Sequence, residues 1–266
     1  MKFGVVGSSG RMGRLLIAQI LKTPGAELVG AAGQAGSPAI GHDAGLFAGV
    51  DPCGVRVTDD ALPLFADADA VLDFTVPEAT VQYAAWAAQG KTVHVVGTTG
   101  LDASQEEKLT LAARHTPIVY AANMSIGINL LLAMVERAAA TLQPSTDIEI
   151  QELHHRHKVD APSGTALALG RAAAEGRGAV LDDVAVFDRH GHTGTRPEGA
   201  IGFAALRGGE VVGEHSVMFI GADERLELTH KASNRAIYAE GAVRAALWAY
   251  GKAPGMYGMR EVLGIN

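Results

Sequence analysis

The residues best suited to chemistry lie in one run, Glu152-Leu153-His154-His155-Arg156-His157-Lys158-Val159-Asp160-Ala161-Pro162-Ser163-Gly164-Thr165-Ala166. Three histidines, an arginine and a lysine fall within five residues, a cationic patch in a chain whose net charge is −7. Such a patch attracts a small anion. Ala161 precedes proline and is pushed toward extended backbone, so the run reads as a loop, and Ser163 stands where an N-cap opens the next helix. The backbone N–H groups of Gly164 and Thr165 at that helix end suit a carboxylate. Helix-end electrostatics alone contribute about 0.3–1 kcal/mol there, and up to about 2 kcal/mol when partly buried. Any one of these histidines taken singly reads as a solvated loop residue, but the cluster beside a capped helix end reads as a site. A zinc site would need three or four converging ligands, with His154, His155, His157, His190 and His192 available. No HExxH pattern and no cysteine pair supports one, so no metal is expected.

A second constellation is Gly7-Ser8-Ser9-Gly10-Arg11-Met12-Gly13, directly after an apolar strand and opening a helix. In that context Gly7 permits the tight turn, Gly10 lets backbone approach a pyrophosphate and Gly13 allows close helix-on-strand packing. The helix end supplies free N–H donors with positive dipole character. The spacing is GxxGxxG, not GxGxxG, and by itself would fit a plain glycine-rich turn. A further polar loop, Gly97-Thr98-Thr99-Gly100, ends a later strand and places a second ligand-facing loop on the same sheet edge. At the end of the second strand, Ala31-Ala32-Gly33-Gln34-Ala35 holds neither the acid that binds ribose hydroxyls nor a cation for a 2′-phosphate, leaving Arg11 as the one candidate for the latter. The expected cofactor is therefore NADH or NADPH with weak discrimination.

These loops need a scaffold, and the chain supplies one. Strand patterns at 2–6, 27–32, 55–57, 70–74, 92–96 and 118–120 alternate with helical patterns, including 11–22 and one that begins near Thr75-Val76-Pro77-Glu78 in capping-box spacing and ends near Gly90. Alternation of this kind gives βαβ units and a parallel sheet. A long helix over 126–142 leads to 147–153, where polar and apolar residues alternate, so one strand face is wet or functional. After a helix at 164–175, strands at 201–206, 211–220 and 225–229, joined by Gly208-Gly209 and Gly221-Ala222-Asp223, read as an antiparallel meander. One helix covers that sheet in this reading, so Val217, Phe219, Leu226 and Leu228 need a second subunit. The last helix, 234–250, is amphipathic. The expected fold is α/β: an N-terminal Rossmann domain at 1–125, onto which 236–266 returns, and a substrate-binding and oligomerisation domain at 126–235 with a mixed, largely antiparallel sheet. The polar, glycine-rich segment 189–199 reads as a mobile loop at a subunit edge.

Bulk properties exclude several classes. With 266 residues, 48% apolar and 19% charged, the chain has material for two modest cores. Thirty-three glycines suit phosphate-binding loops better than a helical bundle. The negative balance and the lack of charge runs argue against nucleic acid. Met1-Lys2-Phe3-Gly4 runs straight into a strand, and no apolar stretch approaches membrane-spanning length, so a cytoplasmic protein without a membrane partner is expected. Cys53 is the only cysteine and sits in a glycine-rich loop, so it reads as a bland thiol.

The run Glu152–Ala166 resembles the signature of the dihydrodipicolinate reductase (4-hydroxy-tetrahydrodipicolinate reductase) family almost letter for letter, and the resemblance spans the whole chain. Gly7–Gly13, Gly97-Thr98-Thr99, Ala121-Ala122-Asn123-Met124 and Gly213-Glu214-His215 resemble further family blocks. The resemblance implies reduction of a cyclic dicarboxylate imine to tetrahydrodipicolinate in lysine and diaminopimelate synthesis. By the same resemblance His154 is the general acid/base, Lys158 the proton donor, and His155, Gly164 and Thr165 bind substrate, with Arg235 pairing with a carboxylate. It also implies cofactor contacts from Gly7, Ser8, Ser9, Gly10, Arg11, Met12, Gly97, Thr98, Thr99, Ala121, Ala122, Asn123 and Met124, and a homotetramer. Gly33 and Gln34 depart from the acid and base found in many relatives, so cofactor preference does not carry over.

Two rivals remain. A redox-sensing module would explain the first domain but has no need of proton donors beside a carboxylate-binding helix end. A semialdehyde dehydrogenase working through a thioester needs a nucleophilic cysteine, for which Cys53 is badly placed.

Overall fold

Runs of apolar residues without polar alternation are stable as strands only when both faces are covered, and the first half of the chain obeys this. The computed structural model describes residues 1–265. In chain order come β1 (Lys2–Val6), α1 (Arg11–Lys22), β2 (Glu27–Ala32), α2 (Ala44–Ala48), β3 (Val57–Thr58), α3 (Leu64–Asp67), β4 (Ala70–Asp73), α4 (Pro77–Gly90), β5 (Val93–Val96), α5 (Ala103–Ala112) and β6 (Pro117–Tyr120). Every residue of β4 and β5 is buried. All ladders are parallel, and the strands lie in the order β3-β2-β1-β4-β5-β6. The chain moves outward from β1 to β3, then returns to β4 on the other side of β1. That reversal places a crevice beyond the carboxyl ends of β1 and β4, the location where open α/β sheets bind ligands.

The expected capping box at Thr75 does not form. The helix cap is Val76, with no side-chain bond, and Pro77 takes the first helical position. Thr75 instead turns its hydroxyl inward to Asp73 at 2.6 Å, because a buried carboxylate without donors is more costly than an exposed helix end.

The second unit, Gly127–Asn234, contains most of α6 (Ile126–Thr141), then β7 (Asp147–His154), α7 (Gly164–Gly176), α8 (Leu181–Val184), β8 (Ala185–Val186), β9 (Ile201–Arg207), β10 (Gly213–Ile220) and β11 (Arg225–Ala232). Its sheet runs β11-β10-β7-β9-β8. The sheet is mixed: β10 is antiparallel to both β11 and β7, whereas β7–β9 and β9–β8 are parallel. The meander expected from the turn residues is therefore wrong at its first turn. Gly208-Gly209 does not close a hairpin, because β7 lies between β9 and β10.

Pleating puts Ile148, Ile150, Glu152 and His154 on the buried face of β7, opposite Phe219, Val217 and His215 of β10. Val217 and Phe219 are 0% and 1% exposed within the single chain. They sit in a core with Ile128, Leu131 and Val135 of α6 and Leu169 and Ala173 of α7. No second subunit is needed to cover them, since α6 joins α7 as a second covering helix. Leu228 packs partly on the same core, and Leu226 stays exposed. The segment 189–199 is tied to β7 rather than loose. Arg196 donates to Asp147, Glu149 and the Ile148 carbonyl, and Arg189 grips Glu149 with two bonds of 2.7 and 2.8 Å.

From Arg235 on, the chain belongs again to the first unit, through α9 (Ala236–Ala249), β12 (Gly255–Tyr257) and α10 (Met259–Leu263). Small residues let α9 lie close: Ala239, Ala242, Ala245, Ala246 and Ala249 are fully buried in the core that contains Leu16, Ile17 and Ile20 of α1. β12 adds a seventh parallel strand beside β6.

Candidate active site

In the first unit the carboxyl ends of four adjacent strands converge. β1 ends in the Gly7–Gly13 turn. Gly7 has φ +66°, a left-handed conformation that only glycine adopts cheaply. An ideal Cβ on Gly13 would stand 2.2 Å from the Gly7 carbonyl oxygen. The amino end of α1 has no side-chain cap at Gly10 and no acid in its first turn, so its N–H donors face outward without competition from the protein. Ser8 is fully buried, and its hydroxyl has no partner among the described residues. Gly33, where cofactor choice is normally made, lies against this turn: an ideal Cβ there would be 3.4 Å from Ser9 Oγ. These features fit a dinucleotide pyrophosphate.

β4 ends at Asp73, which organises the neighbouring loop. Its carboxylate accepts from the Thr75 amide and hydroxyl at 3.0 and 2.6 Å and pairs with His94 Nε2 at 3.2 Å. Burial pushes the Asp73 carboxyl up, but His94, Thr75 and Thr80 overcome this and hold it below the ordinary range. Thr98 joins the same network through bonds to Thr80 and the Thr75 amide at 2.8 and 3.1 Å. Of the Gly97-Thr98-Thr99 loop after β5, the middle hydroxyl is thus directed into the protein and leaves its backbone for a ligand. Ala121–Met124 follow β6 on the same edge. Asp73 carried no expected role, and Thr75 was expected only as part of a helix cap.

The second unit carries the polar run. His154 ends β7 on the buried face, and its Nδ1 lies 2.5 Å from Glu152 Oε2. Glu152 also accepts two bonds from Arg207 at 2.8 Å and one from the Ser163 amide at 3.1 Å. Burial pushes the Glu152 carboxyl up, and Arg207, His154 and Ser163 together pull it below its usual value. For His154 burial dominates and lowers the ring against the pull of Glu152, with Lys158 and Arg207 adding to the lowering. Lys158 lies in the loop after β7 and pairs with Asp160 at 2.8 Å.

Ser163 caps α7 as expected, accepting from the Ala166 amide at 3.2 Å. Its hydroxyl also meets His215 Nε2 at 3.2 Å, and the His215 ring stands edge-on to His154 with centroids 5.1 Å apart. Beyond Gly164 space is open: an ideal Cβ there meets nothing within 4 Å. His157 points away to an exposed pair with Glu210, so the cationic cluster is divided between site and solvent. His155 follows His154 at the start of the loop. Arg235 is the N-cap of α9 and belongs to the first unit. Glu152 and His215 stand in blocks that carry the family resemblance but, like Arg207, were expected to have no function of their own. The signal for Glu152 was present, since period-two alternation puts an acid at 152 on the same face as Ile148 and Ile150.

Burial and the neighbouring His154 lower His215 to about 4. Its folded value lies below that of an unfolded histidine, so the unfolded chain binds more protons between pH 6.5 and about 4, and stability falls as pH falls through that window. The fall from 6.5 to about 4 corresponds to roughly 3 kcal/mol. Urea melts at pH 7.5, 5.5 and 4.5 should show this loss beginning above the carboxylate range, and His215→Gln should flatten it. Equal slopes in both proteins would refute the assignment.

The family profile described as "Dihydrodipicolinate reductase, N-terminus" matches residues 1–124 and that described as "Dihydrodipicolinate reductase, C-terminus" matches 127–263. The chain is 57% identical over 266 residues to 4-hydroxy-tetrahydrodipicolinate reductase of Methylocella silvestris, covering 100% of this chain and 98% of that protein. It is 57% identical over 263 residues to the enzyme of the same name from Brucella abortus (strain 2308), covering 98% of each. Among solved structures, dipicolinate-bound dihydrodipicolinate reductase from Paenisporosarcina sp. TG-14 superposes with a TM-score of 0.78 at 24% identity, covering 98% of each chain. An amine dehydrogenase from Mycobacterium smegmatis superposes at 0.62 with 13% identity, covering 96% of this chain and 94% of that one. These two structures establish likeness of fold.

Proposed function

The chain belongs to the dihydrodipicolinate reductase family, and from that premise we propose that it reduces 4-hydroxy-tetrahydrodipicolinate, by way of dihydrodipicolinate, to tetrahydrodipicolinate in lysine and diaminopimelate synthesis. One observation carries the reading beyond membership: a histidine backed by a buried carboxylate stands beside a capped helix end whose first residue, Gly164, opens to space. A bound reduced nicotinamide supplies the hydride. Gly7, Ser8, Ser9, Gly10, Arg11 and Met12 would hold the pyrophosphate side of the dinucleotide, and Gly97, Thr98, Thr99 and Ala121–Met124 the remainder.

The chain's own residues have three tasks in this proposal. The amino end of α7 takes a substrate carboxylate through the Gly164 and Thr165 amides, with His155 and Arg235 as further substrate contacts. Lys158 delivers the proton that completes reduction, since an ammonium can both donate and stabilise negative charge. His154 gains and gives a proton at Nε2. The first unit, Met1–Ile126 with the chain from Arg235 on, is the dinucleotide-binding domain, and Gly127–Asn234 is the substrate-binding one.

The decisive assay mixes aspartate semialdehyde, pyruvate and the upstream condensing enzyme with the protein and follows oxidation of NADH and NADPH separately. Oxidation that depends on all components is expected, and none with either cofactor sinks the reading. Because Gly33 and Gln34 offer neither an acid nor a cation, kcat/KM for the two cofactors should differ by less than about a hundredfold.

No described helix is long and apolar enough to cross a membrane, and we place the enzyme in the cytoplasm. We also propose a homotetramer. Leu206 and Leu226 remain exposed at 42% each on the second unit's sheet, although Val217 and Phe219 no longer argue for a partner. Light scattering at micromolar concentration should give four times 27.5 kDa, and a monomer would remove the idea.

A further inference from the structure

Isolated carboxylates are rarely buried, because removing the charge from water is costly unless donors surround it. Glu152 has a side chain only 1% exposed and is surrounded on all sides. Arg207 fills one edge of the carboxylate with two bonds of 2.8 Å, the Ser163 amide donates at 3.1 Å, and His154 Nδ1 lies at 2.5 Å. Four bonds use the roughly four acceptor positions of an ionised carboxylate. An ionised carboxylate only accepts, so the proton between the two side chains sits on His154 Nδ1. The ring therefore carries a lone pair at Nε2 when neutral and an N–H there when charged.

The His154 side chain is 11% exposed. Gly213 lies opposite Nε2, and an ideal Cβ on it would stand 2.9 Å from that nitrogen, so any larger residue at 213 would crowd it. The same hub extends to the lysine. Arg207 also donates to the Asp160 carbonyl at 2.7 Å, and the Asp160 side chain holds Lys158 Nζ at 2.8 Å. The middle and the far end of the 155–163 loop are thereby fastened to one acid, through the lysine turn at Asp160 and the α7 cap at Ser163.

We propose that Glu152 is a positioning residue: it fixes His154 in the Nδ1–H tautomer with Nε2 directed at substrate, and through Arg207 and Ser163 it sets the places of Lys158 and the amino end of α7. The inference rests on the proton-transfer reading of His154 given above. The groups that act on His154 are Glu152 of β7, Arg207 of β9, His215 of β10 and Lys158 of the loop. Glu152 alone among them is an anion, and it favours the charged ring. Removing it moves the ring's titration to lower pH.

Glu152→Gln in the intact enzyme should lower kcat by about ten- to a hundredfold, the usual effect of losing the partner behind a functional histidine. It should also move the His154 limb of the kcat–pH profile down by about 0.5–1 pH unit. Glu152→Asp, which keeps the charge, should recover part of the rate and restore the limb. Independently of any variant, nitrogen NMR of the neutral wild-type His154 ring should show the proton on Nδ1. A proton on Nε2 overturns the proposal, as does a folded Glu152→Gln enzyme with unchanged kcat and an unmoved limb. Should Glu152→Gln fail to fold, the tautomer decides. Full turnover in His154→Ala would instead refute the role of His154, leaving the tautomer measurement to judge Glu152.

Discussion

Lys158→Ala and His154→Ala are each expected to lower kcat by about 10²–10⁴, the contribution of a positioned acid or base. The lysine case separates chemistry from folding cleanly. Lys158 is 21% and its partner Asp160 55% exposed, and an exposed pair contributes about 0–1 kcal/mol. Melting of Lys158→Ala should therefore match the wild type while turnover collapses. Lys158→Arg keeps the charge but not the compact, readily donated proton of an ammonium, and should rescue binding more than rate. His154→Ala leaves the Glu152–Arg207 pair intact, so it also tests function more than fold. Steady-state kinetics with saturating cofactor, beside circular dichroism melts, decide both. Unchanged turnover in both variants would show the roles are misassigned.

Gly13→Ala is expected to disable the enzyme by a different route. The added Cβ would stand 2.2 Å from the Gly7 carbonyl oxygen, 2.6 Å from Ser8 Cα and 2.8 Å from Ser8 C. All three are backbone atoms of a turn held between β1 and α1, so no side chain can swing aside. Forcing such contacts costs about 1–3 kcal/mol and more where the backbone cannot yield. The thermal midpoint should fall and KM for the dinucleotide should rise by more than about tenfold, the kinetic equivalent of about 1.4 kcal/mol. Gly10→Ala is the informative control. Its backbone is extended, and its Cβ would meet only the Gly7 carbonyl oxygen, at 3.2 Å. It should melt nearly as the wild type yet bind cofactor more weakly, if Gly10 is where backbone meets pyrophosphate. A Gly13→Ala protein with wild-type stability and cofactor affinity would contradict this account of the turn.

What was legible in the sequence follows from range. β1, β2 and α1 were readable to the residue because their signals are local: an apolar run, a glycine turn, and a helix ended by Thr23 and Pro24. The Ser163 cap was readable for the same reason. Pairing across long stretches of chain was not. Gly208-Gly209 looked like a hairpin because turn chemistry is local, while the choice of β7 as the neighbour of both β9 and β10 is made by packing against α6 and α7. That choice also covers Val217 and Phe219, which in the sequence appeared to need another subunit. It brings Arg207 to Glu152, a contact no local pattern announces. Thr75 illustrates competition: the residue has the right spacing to cap α4, yet buried Asp73 claims its hydroxyl. The short elements α2, α3, α8, β8 and β12 are too brief for periodicity to reveal.

The return of the chain to its first unit has a consequence for biosynthesis. A ribosome that has delivered Met1–Ile126 has made six parallel strands of the sheet, but neither the alanine-rich helix that closes over Leu16, Ile17 and Ile20 nor the strand that borders β6. The nascent first unit must wait with an open flank while Gly127–Asn234 emerges as an uninterrupted segment. The inserted half is thus free to mature first, and the half begun earliest is finished last.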